Sequence, residues 1–267
     1  MSAMNDKASV QQQYTNADGL QIRRMLHQKY SINKQPYDEW ISEHYRIQPG
    51  MKALELGCGT GVSWKDARRW LPDDATLLLT DFSEGMLEIA RANVPAQPNI
   101  AFAQVDIQQI PYENDSFDLV IANAMLYHVP DLGKAISEVA RVLKPDGRFI
   151  CSTTGDNGMH RWFQQVLGEG ERPAMPFSLQ NGGASLEKHF GKAEMRMRED
   201  GLEVTDVEDL VAYVRSMICF AYVHEWPVEQ QACQRLLHYC NLHMTFSKTA
   251  YFRANEWFRH RSNTPDF

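Results

Sequence analysis

The stretch Leu54-Glu55-Leu56-Gly57-Cys58-Gly59-Thr60-Gly61 decides how this chain is read. It has the form of a short buried strand entering a turn with three glycines, and an acidic side chain stands just before the turn. Glycine has no Cβ and accepts positive φ, so such a turn lets a ligand lie against bare backbone. A helix beginning near Val62 is expected to aim its free N–H groups at the same spot. Alone, a glycine-rich strand-to-helix turn is common to several nucleotide-binding folds. The next two strands narrow the choice.

Leu77-Leu78-Leu79-Thr80-Asp81 reads as a second apolar strand ending in a carboxylate, about 20 residues beyond Gly61. That spacing puts Asp81 at the tip of the neighbouring parallel strand, where it can accept from ribose hydroxyls. A site for a 2′-phosphate would call for an arginine there. Phe102-Ala103-Gln104-Val105-Asp106-Ile107 supplies a third strand, and Asp106 at its end can accept from the exocyclic amine of adenine. Either aspartate alone reads equally as a solvated strand end or a helix cap. Both are expected at exposed strand tips, where loss of the side chain leaves the stability of the unliganded protein unchanged.

Taken together, these residues resemble class I S-adenosylmethionine-dependent methyltransferases. The turn is similar to that family's E/D-x-G-x-G-x-G element rather than to the G-x-G-x-x-G of NAD enzymes. Asp81-Phe82-Ser83-Glu84-Gly85-Met86-Leu87 resembles its D-x-S-x-x-M-L segment. Asp115 to Val120 resembles the entry to its fourth strand, and Leu143 to Arg148 the turn before its fifth. The likeness runs from about Pro49 to Thr154 in five ordered motifs. It implies a Rossmann-like, doubly wound, mostly parallel sheet of seven strands, with a helical N-terminal lid and a helical insertion between the last two strands. It also implies S-adenosyl-L-methionine as cofactor, held by Glu55, Gly57, Cys58, Gly59, Gly61, Asp81, Phe82, Met86, Asp106, Ile107 and Asn123.

Bulk composition fits such an enzyme. A chain of 267 residues suits one large α/β domain with an accessory cap. Hydrophobic residues at 43% and aromatics at 10% suffice for a substantial core. The net charge of −7 argues against broad nucleic-acid binding, which leaves a basic footprint. The local basic and aromatic run Phe252 to Arg261 reads as a last strand and tail rather than an RNA platform. Cysteines 58, 151, 219, 233 and 240 form no C-x-x-C pair and no zinc spacing. Together with the lack of a signal-peptide pattern this points to a reducing cytoplasm. No run approaches the ~18 apolar residues of a membrane span.

Residues 1–17 are polar and Gln-rich and are expected to be loose. A helix should follow Asp18, break over Lys29 to Lys34, and resume from Tyr37 to Tyr45. Strands and helices then alternate, which argues for a parallel sheet covered on both faces. After Asp131, the positions Ile136, Val139, Ala140 and Leu143 form an i, i+3, i+4, i+7 stripe. Pro145-Asp146-Gly147 then turns into Phe149-Ile150-Cys151. Gly155 to Gln180, with Trp162, Phe163, Met175 and Phe177, suits a wall or lid. A helix closing at Leu186 to Phe190 and a sixth strand at Ala193 to Met197 come next. Thr205-Asp206-Val207-Glu208 reads as a capping box before the row Val207, Leu210, Val211 and Val214. A second helix is expected from Pro227, with Cys233, Leu236, Leu237 and Cys240 on one side, and a last strand at Thr245 to Phe252. The chain is thus divided into a helical cap at 1–48 and a cofactor-binding domain at 49–267, with lid-like insertions at about 155–190 and 205–244.

Methyl transfer from a sulfonium asks mainly for in-line positioning and exclusion of water. A general base is needed only where the acceptor is protonated. The acceptor pocket should lie beyond the fourth strand, which ends Asn123-Ala124-Met125-Leu126-Tyr127-His128. His128 is the candidate base, since imidazole titrates near neutrality, and Tyr127 the candidate orienting group. A structural histidine is the plain alternative. Tyr14, His27, Tyr30 and Asn33 form a polar-aromatic set suited to a lid, and His27, Tyr30, Trp162 and Phe163 are expected to line the acceptor pocket. The fourth strand lacks an N-P-P-Y-like element, which counts against methylation of planar amines in DNA or protein, and no carboxylate cluster suggests a metal site. The expected function is methyl transfer to a small organic acceptor. A protein or RNA acceptor and a non-catalytic cofactor-binding regulator are the alternatives, and the acceptor atom is open.

Overall fold

The computed structural model describes residues 6–14, 17–156, 161–162, 174–217 and 248–255. Three helices open it: α1 (Lys7–Gln13), α2 (Asp18–Tyr30) and α3 (Tyr37–Ser42). Helix α1 corrects the expectation of a loose start. The carboxylate of Asp6 caps it, accepting from the Ser9 amide at 2.9 Å and the Ser9 hydroxyl at 2.8 Å. Helix α3 stops at Ser42, three residues short of the Tyr45 expected from sequence.

The strands are β1 (Lys52–Leu56), β2 (Thr76–Asp81), β3 (Ile100–Gln104), β4 (Phe117–Asn123), β5 (Leu143–Thr154), β6 (Ala193–Glu199) and β7 (Lys248–Asn255). Between them lie α4 (Glu84–Asn93), α5 (Leu132–Val142), α6 (Gly182–Phe190) and α7 (Val207–Arg215). The strand order is β3-β2-β1-β4-β5-β7-β6. Strands β1 to β5 pair in parallel, and β7 runs antiparallel to both β5 and β6. The order reverses between β1 and β4. In an open parallel sheet a crevice forms at that reversal, above the carboxyl ends of the strands.

Alternating side chains on the central strands feed two separate cores. Leu54, Leu56, Val120 and Ala122 face one cluster, with Ile136 and Val139 of α5 and Phe190 of α6. Ala53, Leu119 and Ile121 face the other, with Ile41, Tyr45, Trp64 and Leu71. Period-two burial on both faces is why these strands read as nearly unbroken apolar runs. Asp131 caps α5, accepting from the Lys134 amide at 2.9 Å. The sequence stripe holds, although Leu143, its last member, opens β5 instead of closing the helix. Phe117 pairs with Leu143 and Leu119 with Arg148, so Lys144 to Gly147 bulge out as the expected turn.

The α-helix expected from Val62 is absent. Two 3-10 turns, Val62–Trp64 and Ala67–Arg69, stand in its place. Tertiary contacts outweigh helix propensity here. Trp64 is fully buried, stacks on Tyr45 with ring centres 5.5 Å apart, and donates its Nε1–H to Glu55. Asp66 leaves helical geometry at φ −106° and ψ 41°. Three smaller shifts also appear. The cap of α7 is Asp206 rather than Thr205, accepting from the Glu208 amide at 2.9 Å. Strand β6 runs two residues further than expected, to Glu199. Strand β7, described at Lys248–Asn255, ends three residues beyond the expected Phe252, and expected residues 245–247 lie outside the described ones. The helix expected from Pro227 lies outside the described residues.

Phe149 of β5 and Phe190 of α6 are both fully buried and stack with ring centres 5.8 Å apart. Phe149→Ala is therefore expected to cost about 3–5 kcal/mol by removing a ring from a core that collapses poorly. Urea unfolding should show a lower midpoint at an unchanged slope. A loss below about 1 kcal/mol would mean that α6 does not pack on the sheet as described.

Candidate active site

The glycine turn enters a cavity of about 270 Å³ at the β1/β4 reversal. Gly57, Gly59 and Gly61 have φ of 73°, 56° and 67°, the left-handed region. The demand is sharpest at two of them. A Cβ on Gly57 would sit 2.9 Å from Met125 Cγ, and one on Gly61 would sit 2.8 Å from Val94 Cγ2. Gly61 therefore serves close packing against α4 and does not line the cavity. Met86 is the other predicted cofactor residue outside the lining. It is 1% exposed, on the core side of α4.

The other predicted cofactor residues share the cavity wall: Glu55, Gly57, Cys58, Gly59, Asp81, Phe82, Asp106, Ile107 and Asn123. Tyr127 and His128 line it as well. Beneath the glycine turn lies a buried polar network. Glu55, only 3% exposed, accepts at Oε2 from Trp64 Nε1 at 2.5 Å and at Oε1 from Asn123 Nδ2 at 3.2 Å. Asn123 Nδ2 also donates to Tyr45 Oη at 2.6 Å, and its Oδ1 accepts from Ser152 Oγ at 3.3 Å. Burial pushes the Glu55 carboxyl up to about 7, against the hydrogen bonds from Trp64 and Asn123. Burial likewise keeps the Cys58 thiol well above its ordinary range, so it is protonated at neutral pH.

Asp81 is not the exposed strand tip expected from sequence. Its Oδ2 accepts from the Gly59 amide at 2.8 Å and its Oδ1 from the Ser83 amide at 2.9 Å. Burial raises its pKa, opposed by backbone hydrogen bonds from Ser83, Gly59 and Phe82. A carboxylate has about four lone-pair sites, so Asp81 can tie down the turn and still accept from a ligand. Asp106 sits two residues past the end of β3, its Oδ1 accepting from the Gln108 amide at 2.9 Å and from Gln108 Nε2 at 3.1 Å.

At the end of β4, Ala124 takes φ 49°, unusual for a residue with a Cβ. Its amide donates to the Ser152 carbonyl at 3.0 Å and lies 3.1 Å from Ser152 Oγ. This turn brings Met125 over Gly57 and sends the short 3-10 turn Leu126–His128 along the cavity. There Tyr14 Oη lies 2.9 Å from His128 Nε2, and the Tyr14 carbonyl accepts from Ser83 Oγ at 2.8 Å. Tyr14 thus ties the N-terminal segment both to the 3-10 turn after β4 and to the start of α4.

The described members of the predicted acceptor-pocket set do not line this cavity. His27 meets Tyr213 of α7 edge to face, with ring centres 6.2 Å apart, and burial lowers its pKa. Tyr30 is 6% exposed and donates to Asp209 at 2.7 Å, beside the Lys29–Asp209 ion pair. Both side chains clamp α2 to α7 and neither lines the cavity. Trp162 also lies outside the lining, and Phe163 lies outside the described residues. From α1 to α3 the cavity instead takes Tyr14, Arg23, Arg24, Tyr37 and Asp38 among others. In sequence, Arg23 and Arg24 look like the solvated face of an amphipathic helix, and only the packing of α2 turns them inward. Among the described residues no cluster of His, Cys, Asp and Glu could hold a metal ion.

Comparison with known proteins agrees with this geometry. A family model described as a methyltransferase domain matches residues 54–151. The demethylmenaquinone methyltransferase of Staphylococcus aureus (strain MRSA252) is 37% identical over 109 residues, covering 40% of this chain and 45% of that protein. The enzyme of the same name from Lactococcus lactis subsp. lactis (strain IL1403) is 39% identical over 107 residues, 39% of this chain and 42% of that one. The matched region thus spans less than half the length of these relatives. Among solved structures, phosphoethanolamine N-methyltransferase 2 of Haemonchus contortus in complex with S-adenosyl-L-methionine gives a TM-score of 0.56 at 19% identity, over 89% of this chain and 56% of that one. The cyclase SpnF gives 0.56 at 17% identity, over 95% of both chains. These two likenesses bear on the fold. Over residues 54–151 the chain is thus similar to a methyltransferase domain.

Two outcomes test the site. The folded-state pKa of Glu55 lies above its ordinary 4.5, so its stabilising contribution is full below about pH 4.5 and is lost as pH rises through about 7. Glu55→Gln removes that dependence. The melting temperature of the wild type should fall relative to the variant between about pH 5 and pH 8, by the equivalent of roughly 1–3 kcal/mol. Parallel curves would show that the carboxyl is ionised throughout. Asp81→Ala, in turn, should destabilise the unliganded protein by about 1–3 kcal/mol, because the Gly59 and Ser83 amides lose their acceptor. An unchanged unfolding midpoint would return Asp81 to the status of an exposed tip.

Proposed function

We propose that the chain transfers a methyl group from S-adenosyl-L-methionine to a small organic acceptor. The observation that carries this reading is the cavity itself. It has a bare glycine edge with four carboxylates in its wall (Asp38, Glu55, Asp81 and Asp106), and the Tyr14, Tyr127 and His128 rings complete it. The acidic wall fits a ligand with an ammonium, a sulfonium and a pair of ribose hydroxyls. Asp81 would take the ribose hydroxyls, Asp106 the adenine amine, and the Gly57–Gly59 edge would let the ligand approach the backbone.

When bound, the sulfonium supplies an electrophilic methyl carbon that already carries its leaving group. The protein's share is to orient the acceptor, keep water out and, where the acceptor is protonated, take its proton. Tyr14 and Tyr127 flank the His128 ring at centroid distances of 5.3 and 4.5 Å and fix its plane, which suits a base that must meet one acceptor atom. The Tyr14 ties across the mouth support a role for residues 1–48 as a lid over the domain at 49–267. A mouth crossed by a side-chain bond suits a small molecule better than a polypeptide, which needs an open groove. The names of the Staphylococcus and Lactococcus relatives favour the same class of acceptor. No helix among the described residues is long and apolar enough to cross a membrane.

Calorimetry should detect binding of S-adenosylmethionine and S-adenosylhomocysteine but not of NAD. A screen of metabolite pools for methyl transfer from labelled cofactor identifies the acceptor. With that acceptor, His128→Asn should lower turnover at neutral pH about a hundredfold while cofactor affinity stays near the wild-type value. Unchanged turnover would leave His128 a structural residue. Labelling of protein or RNA in place of small molecules would overturn the acceptor class.

A further inference from the structure

Arg23 is a charged feature of the cavity wall that cofactor binding and proton removal leave unused. Its Nη1 donates to the Ser216 carbonyl at 2.5 Å, and its guanidinium carbon lies 5.7 Å from the Tyr14 ring centre. Its Nη2 is buried and has no hydrogen-bond partner among the described residues. The neighbouring Arg24, which also lines the cavity, is paired with Asp38 at 2.5 Å, whereas Arg23 has no carboxylate partner among the described residues. A guanidinium cannot shed its proton to escape burial. Leaving a charged N–H buried and unpaired costs more than the usual penalty for a neutral group, and Arg23 lines the cavity, so a ligand oxygen beside it would meet an unused donor. The residues nearest it say which part of the ligand. Arg23 lies against Tyr14, and its charge opposes the rise that burial imposes on the Tyr127 hydroxyl. Tyr14 and Tyr127 stand with His128, the candidate base for the acceptor, in the same wall.

We propose that Arg23 binds an anionic oxygen of the methyl acceptor, so that the acceptor is an organic oxyanion: a carboxylate or an aryl oxide. This deepens the methyltransferase reading and rests on it for the word acceptor. The Ser216 carbonyl takes one of the five guanidinium N–H groups, which leaves Nη2 to offer a charge-assisted hydrogen bond to that oxygen. Tyr14, Tyr37 and Tyr127 in the same wall suit a planar body behind that oxygen. Arg23 is then a specificity-determining residue, setting which small molecules are accepted without taking part in methyl transfer.

The test uses benzoate and its neutral counterpart benzamide as probes, titrated into the full chain with and without S-adenosylhomocysteine at about pH 7.5. Wild type should bind benzoate at least tenfold more tightly than benzamide. Arg23→Gln should abolish that preference, Arg23→Lys should retain part of it, and affinity for S-adenosylhomocysteine should stay within about twofold in both variants. Equal binding of the two probes by wild type, or a preference that survives in Arg23→Gln, overturns the proposal. A tenfold loss of S-adenosylhomocysteine affinity in Arg23→Gln also overturns it, by assigning the anionic oxygen to the amino-acid end of the cofactor. Wild type that ignores S-adenosylhomocysteine would refute the methyltransferase reading alone, because the benzoate preference measured without it still decides the role of Arg23.

Discussion

The buried carboxyl of Glu55 is the point on which the floor of the cavity depends. It stands near the end of β1, just before the glycine turn, and takes hydrogen bonds from Trp64 beyond the turn and from Asn123 at the tip of β4. One side chain thereby joins both flanks of the sheet's order reversal to the segment that closes the turn. Trp64 is drawn into the second core, where it stacks on Tyr45, and the chain after the turn is held in 3-10 geometry. Asn123 is shared with Tyr45 and Ser152, so β1, β4 and β5 meet in one polar network with its hydrogen bonds largely satisfied. Such a network is costly to break in part, and that makes the floor of the cavity stiff.

Charge is distributed unevenly over the cavity wall. Four carboxylates belong to the wall, two of them already holding backbone: Asp81 the glycine turn and Asp106 its own turn. Arg24 is spent on Asp38, and Ser63 bonds the same carboxylate, so α2, α3 and the segment after the glycine turn are locked together. Arg23 faces a different set, among the tyrosines. In the proposed reading the acidic groups serve the cationic cofactor and Arg23 serves the acceptor.

The fold alone would not decide the chemistry. SpnF, named as a cyclase, aligns with 95% of this chain at a TM-score of 0.56, as high as the score of the phosphoethanolamine N-methyltransferase. Function resides in the site grafted onto the fold. The proposed function rests on the contents of one cavity: a glycine edge, spaced carboxylates, and a histidine held between two tyrosines.

The central sheet and the residues around the glycine turn that line the cavity were legible in the sequence because both rest on local regularities. Apolar runs of strand length, glycines forced by positive φ at Gly57 and Gly61, and carboxylates at fixed distances are properties of short segments. Asp131 and the stripe on α5 belong to the same class. What tertiary structure decided was everything that depends on which face of an element meets a distant partner. His27 and Tyr30 had the right chemistry for an acceptor pocket, but α7 arrives from nearly 180 residues away and takes them through Tyr213 and Asp209. The same packing turns Arg23, unremarkable in sequence, into the cavity. Val62 to Arg69 would suit a helix by propensity, yet Glu55 and Tyr45 hold Trp64 where a regular helix does not form. Local periodicity is a property of the chain. The pairing of its faces is settled only by burying them together, and that is where the α2 side of this cavity was determined.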